Sequence, residues 1–326
     1  MTKAIRIHET GGPDAMVWED VEVGDPGPGE IRVRHTFVGL NYIDTYHRNG
    51  LYPLPLPTGL GLEAAGVVEA VGAGVHDLKV GERVAYGVGP IGAYAEARVM
   101  PADRVVALPD AIDDKTAAAM MLQGMTVEYL LCRTYPVQPG QTILFHAAAG
   151  GVGLIACQWA RHLGVTVIGT VGSEEKAELA RAHGATHVIN YRTDNFVERV
   201  RQITNGAGVP VVYDGVGADT WDGSLDCLSP RGMMVSFGNA SGAVPPFSPG
   251  VLAQKGSLYL TRPVLMTYTA SRQDLVASAA ALFEVIVNGA VEIPVNQVYP
   301  LAEAAQAHRD LEARKTTGST VFSVGG

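Results

Sequence analysis

Between Gln141 and Pro263 the sequence alternates between short apolar runs and longer helical ones. "QTILFHA" is followed by a helical stretch from Gly151 to Leu163, and "VTVIGTV" by one from Glu174 to His183. "HVINY" precedes "NFVERVRQIT", "PVVYDGV" precedes "TWDGSLDCL", and "GMMVSFG" and "SLYLTRP" close the series. Several of the strand-like runs are apolar throughout, as a strand must be when helices cover both of its faces. Repeated strand–helix units predict a doubly wound parallel sheet, with any ligand held outside the carboxyl ends of the strands.

The first turn of that series reads "FHAAAGGVGLIACQWARHLG" from Phe145 to Gly164. Against the dinucleotide fingerprint G-x-G-x-x-G it runs Ala148-x-Gly150-x-x-Gly153, with alanine in the first glycine's place. Gly150 is expected to let backbone approach a pyrophosphate, and Gly153 to let the helix pack closely on the strand. The free N–H groups of Gly151 and Val152 begin the helix and favour an anion. Ala148 implies a turn that needs no positive φ at that residue.

The second strand ends in "GTVGSEEK". Enzymes that hold NAD usually place an acid there for the ribose 2′-hydroxyl. Here Gly172 and Ser173 occupy the end, and Glu174 and Glu175 fall in the next helix's first turn, where they offset its dipole. Lys176 lies one turn in, and the usual strand order brings Tyr191 alongside. Ser173, Lys176 and Tyr191 together favour a 2′-phosphate, so the expected cofactor is NADPH. Val216, Gly238, Asn239, Ala240, Ser241, Pro263, Val264 and Leu265 follow later strand ends and are expected on the same crevice.

Residues 1 to about 120 form a different pattern of short β-branched runs punctuated by glycine and proline, which predicts a compact β-rich domain. "DKTAAAMMLQGMTVEYLLCRTY" reads as a helix leading out of it. After Pro263 the alternation stops, and the remaining tail is too short for a comfortable domain of its own. The expected division is therefore 1–123 with 264–326 as one domain and 124–263 as the other.

Composition narrows the partners. The chain carries 24 basic and 33 acidic residues, a net charge of -9, so nucleic acid is disfavoured by repulsion from its phosphates. The most apolar run, Ala277 to Val291, contains Glu284 and Asn288, and no membrane span is expected. "MTKAIRIHETGG" contains no apolar stretch of the secretory type. Cys132, Cys157 and Cys227 form no CxxC and read as buried small apolar residues in a reducing compartment, so the expected location is cytoplasmic. The nine histidines show no HxxxH or HExxH spacing.

A β-rich half joined to a nucleotide-binding half resembles the medium-chain dehydrogenase/reductase superfamily. Within it the chain resembles the zinc-free quinone oxidoreductases related to zeta-crystallin. The resemblance lies in "GLNYIDTYHRNGLYP", "GLGLEAAGVVEAVG", "LQGMTVEYLL", "FHAAAGGVGLIACQWA", "VVYDGVG", "MVSFGNASGA" and "GSLYLTRP", in the family's order. It implies a mixed α/β fold, with a GroES-like catalytic domain and a Rossmann domain. The zinc-dependent relatives place a cysteine near Asn41 and a histidine in the segment that here reads Gly61-Leu62-Glu63; neither is present, and no structural cysteine cluster stands between Gly92 and Pro101. The expectation is no metal. Without a Lewis acid to polarise a carbonyl, the acceptor must already be electron-poor, a quinone or a conjugated enone.

The resemblance further implies that Tyr42, Ile43, Asp44, Thr45 and Tyr46, with Thr126 and Tyr129, line the nicotinamide end, and that Arg314 lies near the cofactor phosphates. Asn41, Tyr46 and Tyr52 are the candidates for orienting the acceptor and stabilising its anion. Tyr42 stands where phenylalanine is more usual, and Met125 where leucine is, which leaves the acceptor preference open. The leading expectation is an NADPH-dependent quinone oxidoreductase. An NADPH-dependent enone or alkenal reductase is the alternative, followed by a non-enzymatic NADPH- or RNA-binding protein. A homodimer is expected, with "SLYLTRP" as an edge strand that needs a partner.

Overall fold

Six strands in the second half of the chain lie parallel to one another: Thr142–Phe145, Thr166–Val171, His187–Asn190, Val209–Asp214, Leu228–Ser236 and Tyr259–Thr261. Counted in chain order, they stand third, second, first, fourth, fifth, sixth across the sheet. The order reverses between the first and fourth strands, where Leu144 faces Val212 and Phe145 faces Tyr213. That reversal is where a doubly wound sheet opens a crevice. The helices Gly151–His162, Glu174–Ala182, Phe196–Ile203 and Trp221–Cys227 intervene between successive strands. Leu144, Ile168, Ile189, Val212 and Met234 share one buried cluster with Trp221 and Leu225. These are the continuously apolar strands of the sequence, buried on the faces that helices cover.

The computed structural model describes residues 2–325. The chain divides into two units: one holds everything up to Met125, Tyr268–Val287 and the chain from Ile293 on, and the other holds Thr126–Thr267 and Asn288–Glu292. The parallel sheet belongs to the second unit. In the first, Glu30–Leu40 pairs antiparallel with Ala64–Val71, with Ala97–Pro101 and, from the far end of the chain, with Ser319–Ser323. Thr2–Ile7, Met16–Val21 and Thr58–Gly59 form a separate three-stranded sheet. Ile5, Ile31, Val33, Val68, Tyr94 and Phe322 fill one core, so the C-terminal strand is part of the first unit's interior.

Three details depart from the sequence reading. "SLYLTRP" is a strand only over Tyr259–Thr261, because Ser257 turns into the left-handed region (φ 56°) and Pro263 has no N–H for a ladder. It is the edge strand, with Tyr259 59 % exposed. The helix from Asp114 is α-helical only to Glu128 and widens into a π-turn over Tyr129–Thr134. The Glu128–Arg133 ion pair (2.8 Å) spans five residues, the repeat of a π-turn. Cys157 and Cys227 are buried, but Cys132 is partly exposed, and burial foremost pushes its thiol up to about 11. Among the described residues no helix is long and apolar enough to cross a membrane.

Candidate active site

The strand Thr142–Phe145 delivers the chain to the glycine-rich turn. The residue that takes the left-handed conformation there is Ala147 (φ 54°), one place before Ala148. Ala148 is fully buried, and its N–H donates to the Thr170 carbonyl at 3.0 Å. Its methyl group points at Gly169 of the neighbouring strand, where a Cβ would lie 2.6 Å away. The glycine absent from position 148 is thus matched by a glycine opposite it.

The other two fingerprint glycines differ in their surroundings. A Cβ at Gly153 would fall 2.3 Å from the Ala147 oxygen and 2.7 Å from the Ala148 Cα, so the helix approaches the turn too closely for any side chain. Gly150 is the N-cap of the Gly151–His162 helix with φ -81°, and a Cβ there would meet only the Ala147 oxygen, at 3.3 Å. Neither packing nor conformation demands glycine at 150. The bare backbone beside a twelve-residue helix's N-terminus suits a pyrophosphate brought against it.

At the end of the second strand the Tyr191 N–H donates to the Val171 carbonyl (3.1 Å). The Tyr191 hydroxyl covers Gly172 so closely that a Cβ there would be 2.6 Å from it, with Arg192 Nε 3.7 Å away. Ser173 caps the next helix by accepting the Lys176 N–H (3.3 Å), which leaves its hydroxyl proton to donate. Glu174 pairs with Arg181 (2.8 Å) along its own helix. Gly172, Ser173, Lys176 and Tyr191 therefore share one strand end, and Arg192 joins them. Sequence reasoning stopped at the tyrosine; the adjacent arginine in "NYR" was the available signal.

A buried polar network shapes the far side of the crevice. Asp214 Oδ1 accepts from the N–H groups of Val216 (2.8 Å) and Gly217 (3.0 Å). Its Oδ2 accepts from the hydroxyls of Thr220 and Ser224, both at 2.7 Å. Since Ser224 gives its one proton to Asp214, it accepts from His146 Nε2 (2.9 Å), and His146 Nδ1 accepts from the Thr170 hydroxyl (2.8 Å). His146 is wholly buried, and burial holds its pKa below the usual range, so it sits neutral in that tautomer. Ser241 donates from its hydroxyl to the Val216 carbonyl (2.9 Å), and its N–H donates to the same oxygen (2.8 Å). Val216 and the Gly238–Ser241 run are thereby stitched together. Pro263, Val264 and Leu265 follow the edge strand at the same border of the sheet, with Val264 exposed. Thr126 and Tyr129 are buried where the α-helix gives way to the π-turn.

In the first unit, Asn41 caps the helix Tyr42–Asn49 in a reciprocal box: its side chain accepts the Asp44 N–H, and Asp44 Oδ2 accepts the Asn41 N–H at 2.9 Å. Asn41 Nδ2 donates to Glu63 Oε2 (2.6 Å), and its Oδ1 accepts from Gln123 (3.3 Å). The Asn41 amide, 5 % exposed, is engaged at both ends. Asp44 is entirely buried, and desolvation raises its pKa to about 7 against the hydrogen bonds from Asn41 and Tyr94. Glu63 is buried too; desolvation raises it to about 8, opposed by the Asn41 and Leu122 donors and reinforced by Asp44. Tyr46 stacks at an angle against Tyr42 (5.7 Å between ring centres) and edge-on against Tyr52 (5.2 Å). The three tyrosines form one aromatic cluster, closed by the Tyr52 N–H donating to the Tyr46 carbonyl (3.0 Å). Ile43 is half-buried, Thr45 donates to the Tyr42 carbonyl (2.7 Å), and Arg314 sits exposed with φ 59°. Among the described residues no group of three or more His, Cys, Asp or Glu is arranged to hold a metal ion.

Residues 27–110 match the alcohol dehydrogenase GroES-like domain, and residues 151–281 match the zinc-binding dehydrogenase domain. The chain is 56 % identical to a quinone oxidoreductase of Pseudomonas aeruginosa over 99 % of both chains. It belongs to the quinone oxidoreductase family of the medium-chain dehydrogenases/reductases. A 2-haloacrylate reductase of Burkholderia is 50 % identical, also over 99 % of both chains. The solved structure of the Escherichia coli quinone oxidoreductase complexed with NADPH superposes with a TM-score of 0.97 at 50 % identity, covering 98 % of this chain and 99 % of that one.

Proposed function

We propose that this protein is an NADPH-dependent quinone oxidoreductase. The observation that carries the cofactor assignment is the end of the second parallel strand. It bears no acid, Tyr191 and Arg192 lie over Gly172, and Ser173 and Lys176 open the helix that follows. The two cations favour a 2′-phosphate, and Tyr191 offers a ring edge to the adenosine. Gly150 to Gly153 receive the pyrophosphate on the helix N-terminus, and Val216 with Gly238–Ser241 border the crevice beyond it. When bound, NADPH supplies the hydride.

The first unit acts on the acceptor. The hydroxyls of Tyr46 and Tyr52, clustered with Tyr42, orient the acceptor oxygen, while Asp44 is buried in the capping box and does not line the site. Reduction of a quinone leaves a phenolate-like anion, whose conjugate acid has a pKa of roughly 10. Hydrogen bonds from two tyrosines stabilise such an anion without a strong acid. Asn41 has a supporting part: its amide is spent on the helix cap and Glu63, and it positions the helix that carries Tyr46.

The 2-haloacrylate reductase relative supports a second reading, an activated alkene as acceptor. Initial rates of NADPH oxidation with an ortho-quinone, a para-quinone, an alkenal and 2-chloroacrylate, in chelator, separate the two. Quinone turnover above the alkenes supports the proposal. Alkene turnover alone moves the assignment to the second reading, and no turnover with tight NADPH binding moves it to a binding protein.

The edge strand Tyr259–Thr261, with its exposed tyrosine, favours a homodimer paired across a two-fold. A monomer in size-exclusion chromatography with light scattering at working concentration defeats that part. The free cysteines fit the reducing cytoplasm as the site of action.

A further inference from the structure

The buried face of the helix Tyr42–Asn49 is held by a hydrogen-bond chain whose direction can be worked out atom by atom. Arg48 is 2 % exposed. Its Nη2 meets Glu312 at 2.6 Å, its Nε donates to the Gly11 carbonyl at 3.1 Å, and its Nη1 meets His308 Nδ1 at 2.8 Å. A guanidinium only donates, so His308 Nδ1 accepts and the ring's proton resides on Nε2. His308 Nε2 therefore donates to the Tyr94 oxygen (3.0 Å), and Tyr94 passes its own proton toward Asp44 Oδ2 (2.9 Å). Burial, then the Arg48 charge, lower His308 to about 3, which keeps the ring neutral. Asp44 Oδ1 is buried with no hydrogen-bond partner among the described residues, so Tyr94 and the Asn41 N–H anchor that carboxylate through one oxygen.

Asp44 and Arg48 are four residues apart and lie on one face of the helix. Tyr42 and Tyr46 are also four apart, and each lies two residues from an anchor. At about 100° per residue they are displaced by roughly 200°, on the opposite face. Tyr94 is fixed in turn, its ring edge-on to Phe322 (4.9 Å) and to His308 (5.8 Å). The helix is thus held at both ends from one side, and its rotation sets where Tyr46 points.

We propose that the chain Arg48–His308–Tyr94–Asp44 positions the Tyr42–Asn49 helix for acceptor reduction, with Tyr94 and His308 as positioning residues. This rests on the reading that Tyr46 acts on the acceptor. Neither Tyr94 nor His308 belongs to the cofactor crevice, so their loss should appear in turnover and spare NADPH affinity.

The test uses the full-length enzyme with Tyr94→Phe, His308→Leu and His308→Gln. Gln carries one acceptor and one donor, and so restores the direction of the chain where Leu cannot. Tyr94→Phe and His308→Leu should lower kcat with a quinone about ten- to a hundredfold, the size expected when a reacting group is misplaced by about an ångström. The Kd for NADPH should stay within about threefold. Amide hydrogen exchange should quicken in a peptide covering residues 42–49, and His308→Gln should return kcat to within about threefold of wild type. Wild-type kcat in folded Tyr94→Phe and His308→Leu overturns the proposal, as does a His308→Gln variant as slow as His308→Leu. A wild-type enzyme inert to every acceptor overturns the oxidoreductase reading instead. In that case unchanged exchange at 42–49 in Tyr94→Phe still overturns the positioning chain.

Discussion

The exchange of glycine between positions 148 and 169 makes a quantitative prediction. In Gly169→Ala the new methyl carbon would start 2.6 Å from the Ala148 methyl. Two carbons settle at about 3.5–4.0 Å, so one strand or the turn must move by about an ångström in a fully buried place. Overpacking of this kind costs about 1–3 kcal/mol. Ala148→Gly loses a buried methyl group, about 0.8 kcal/mol, and adds backbone freedom to the unfolded chain, about 0.5–1 kcal/mol. If the two effects were independent, the double variant would lose the sum, about 3.5 kcal/mol for central values. Because each change cures the other's defect, the double should lose only about 1 kcal/mol, a coupling of about 2.5 kcal/mol. Trp159 and Trp221 are both buried in the Rossmann unit, so tryptophan fluorescence during urea unfolding follows the unit concerned. Refutation would be a Gly169→Ala protein as stable as wild type, or a double variant whose loss equals the sum of the singles.

Other expectations follow from the same structure. Asp214→Ala leaves four donors without their acceptor and should cost at least about 3 kcal/mol, read as a lower urea midpoint, with weaker NADPH binding. Arg192→Ala and Lys176→Ala should each weaken NADPH about tenfold in fluorescence titration while leaving NADH unchanged, the loss of one charge-assisted contact; equal losses for both nucleotides would remove the 2′-phosphate assignment. Glu63 and Asp44 bind protons more tightly folded (about 8 and 7) than unfolded (4.5 and 3.8), so their stabilising contribution is complete at acid pH and declines as pH rises through the folded values. His35 and His308, held down at about 4 and 3 against 6.5, act oppositely and stop contributing a slope above about pH 6.5. Burial also holds His146 and His47 below their usual range, so thermal stability without ligand should rise toward about pH 6.5 and fall from there to about 8, and Glu63→Gln should flatten that fall even where it lowers the midpoint.

The Rossmann sheet was legible because its signal is local: apolar runs of strand length, each joined to a helix, with glycine at the turn. The end of the second strand was legible for the same reason, since strand order follows from the alternation and brings Tyr191 to Gly172. What escaped depends on pairings across long sequence separations. Arg48 and His308 stand 260 residues apart, and nothing near either announces the other. Asn41 looked like a group free to touch an acceptor, because a helix-capping box is readable but a distant Glu63 that occupies the amide is not. Ala147 escaped for a different reason: an alanine in the left-handed region runs against intrinsic preference, and the turn imposes it.

Glu63 reaches from its own segment to the middle of another. Its Oε1 accepts from the N–H of Leu122 at 2.9 Å, deep inside the helix Asp114–Glu128. The stretch "TAAAMM" is closely seated, with Ala117 to Met121 buried and the backbone of Ala118 and of Met121 and Leu122 pressed against Gly39 and Gly87. Each residue of slippage along the axis would move such a helix by about 1.5 Å. A bond to the backbone itself acts as a stop on that sliding, independent of which small side chains coat the surface. The buried side chains and this bond together hold the helix in one register. In this sense one buried carboxylate fixes the register of the helix Asp114–Glu128.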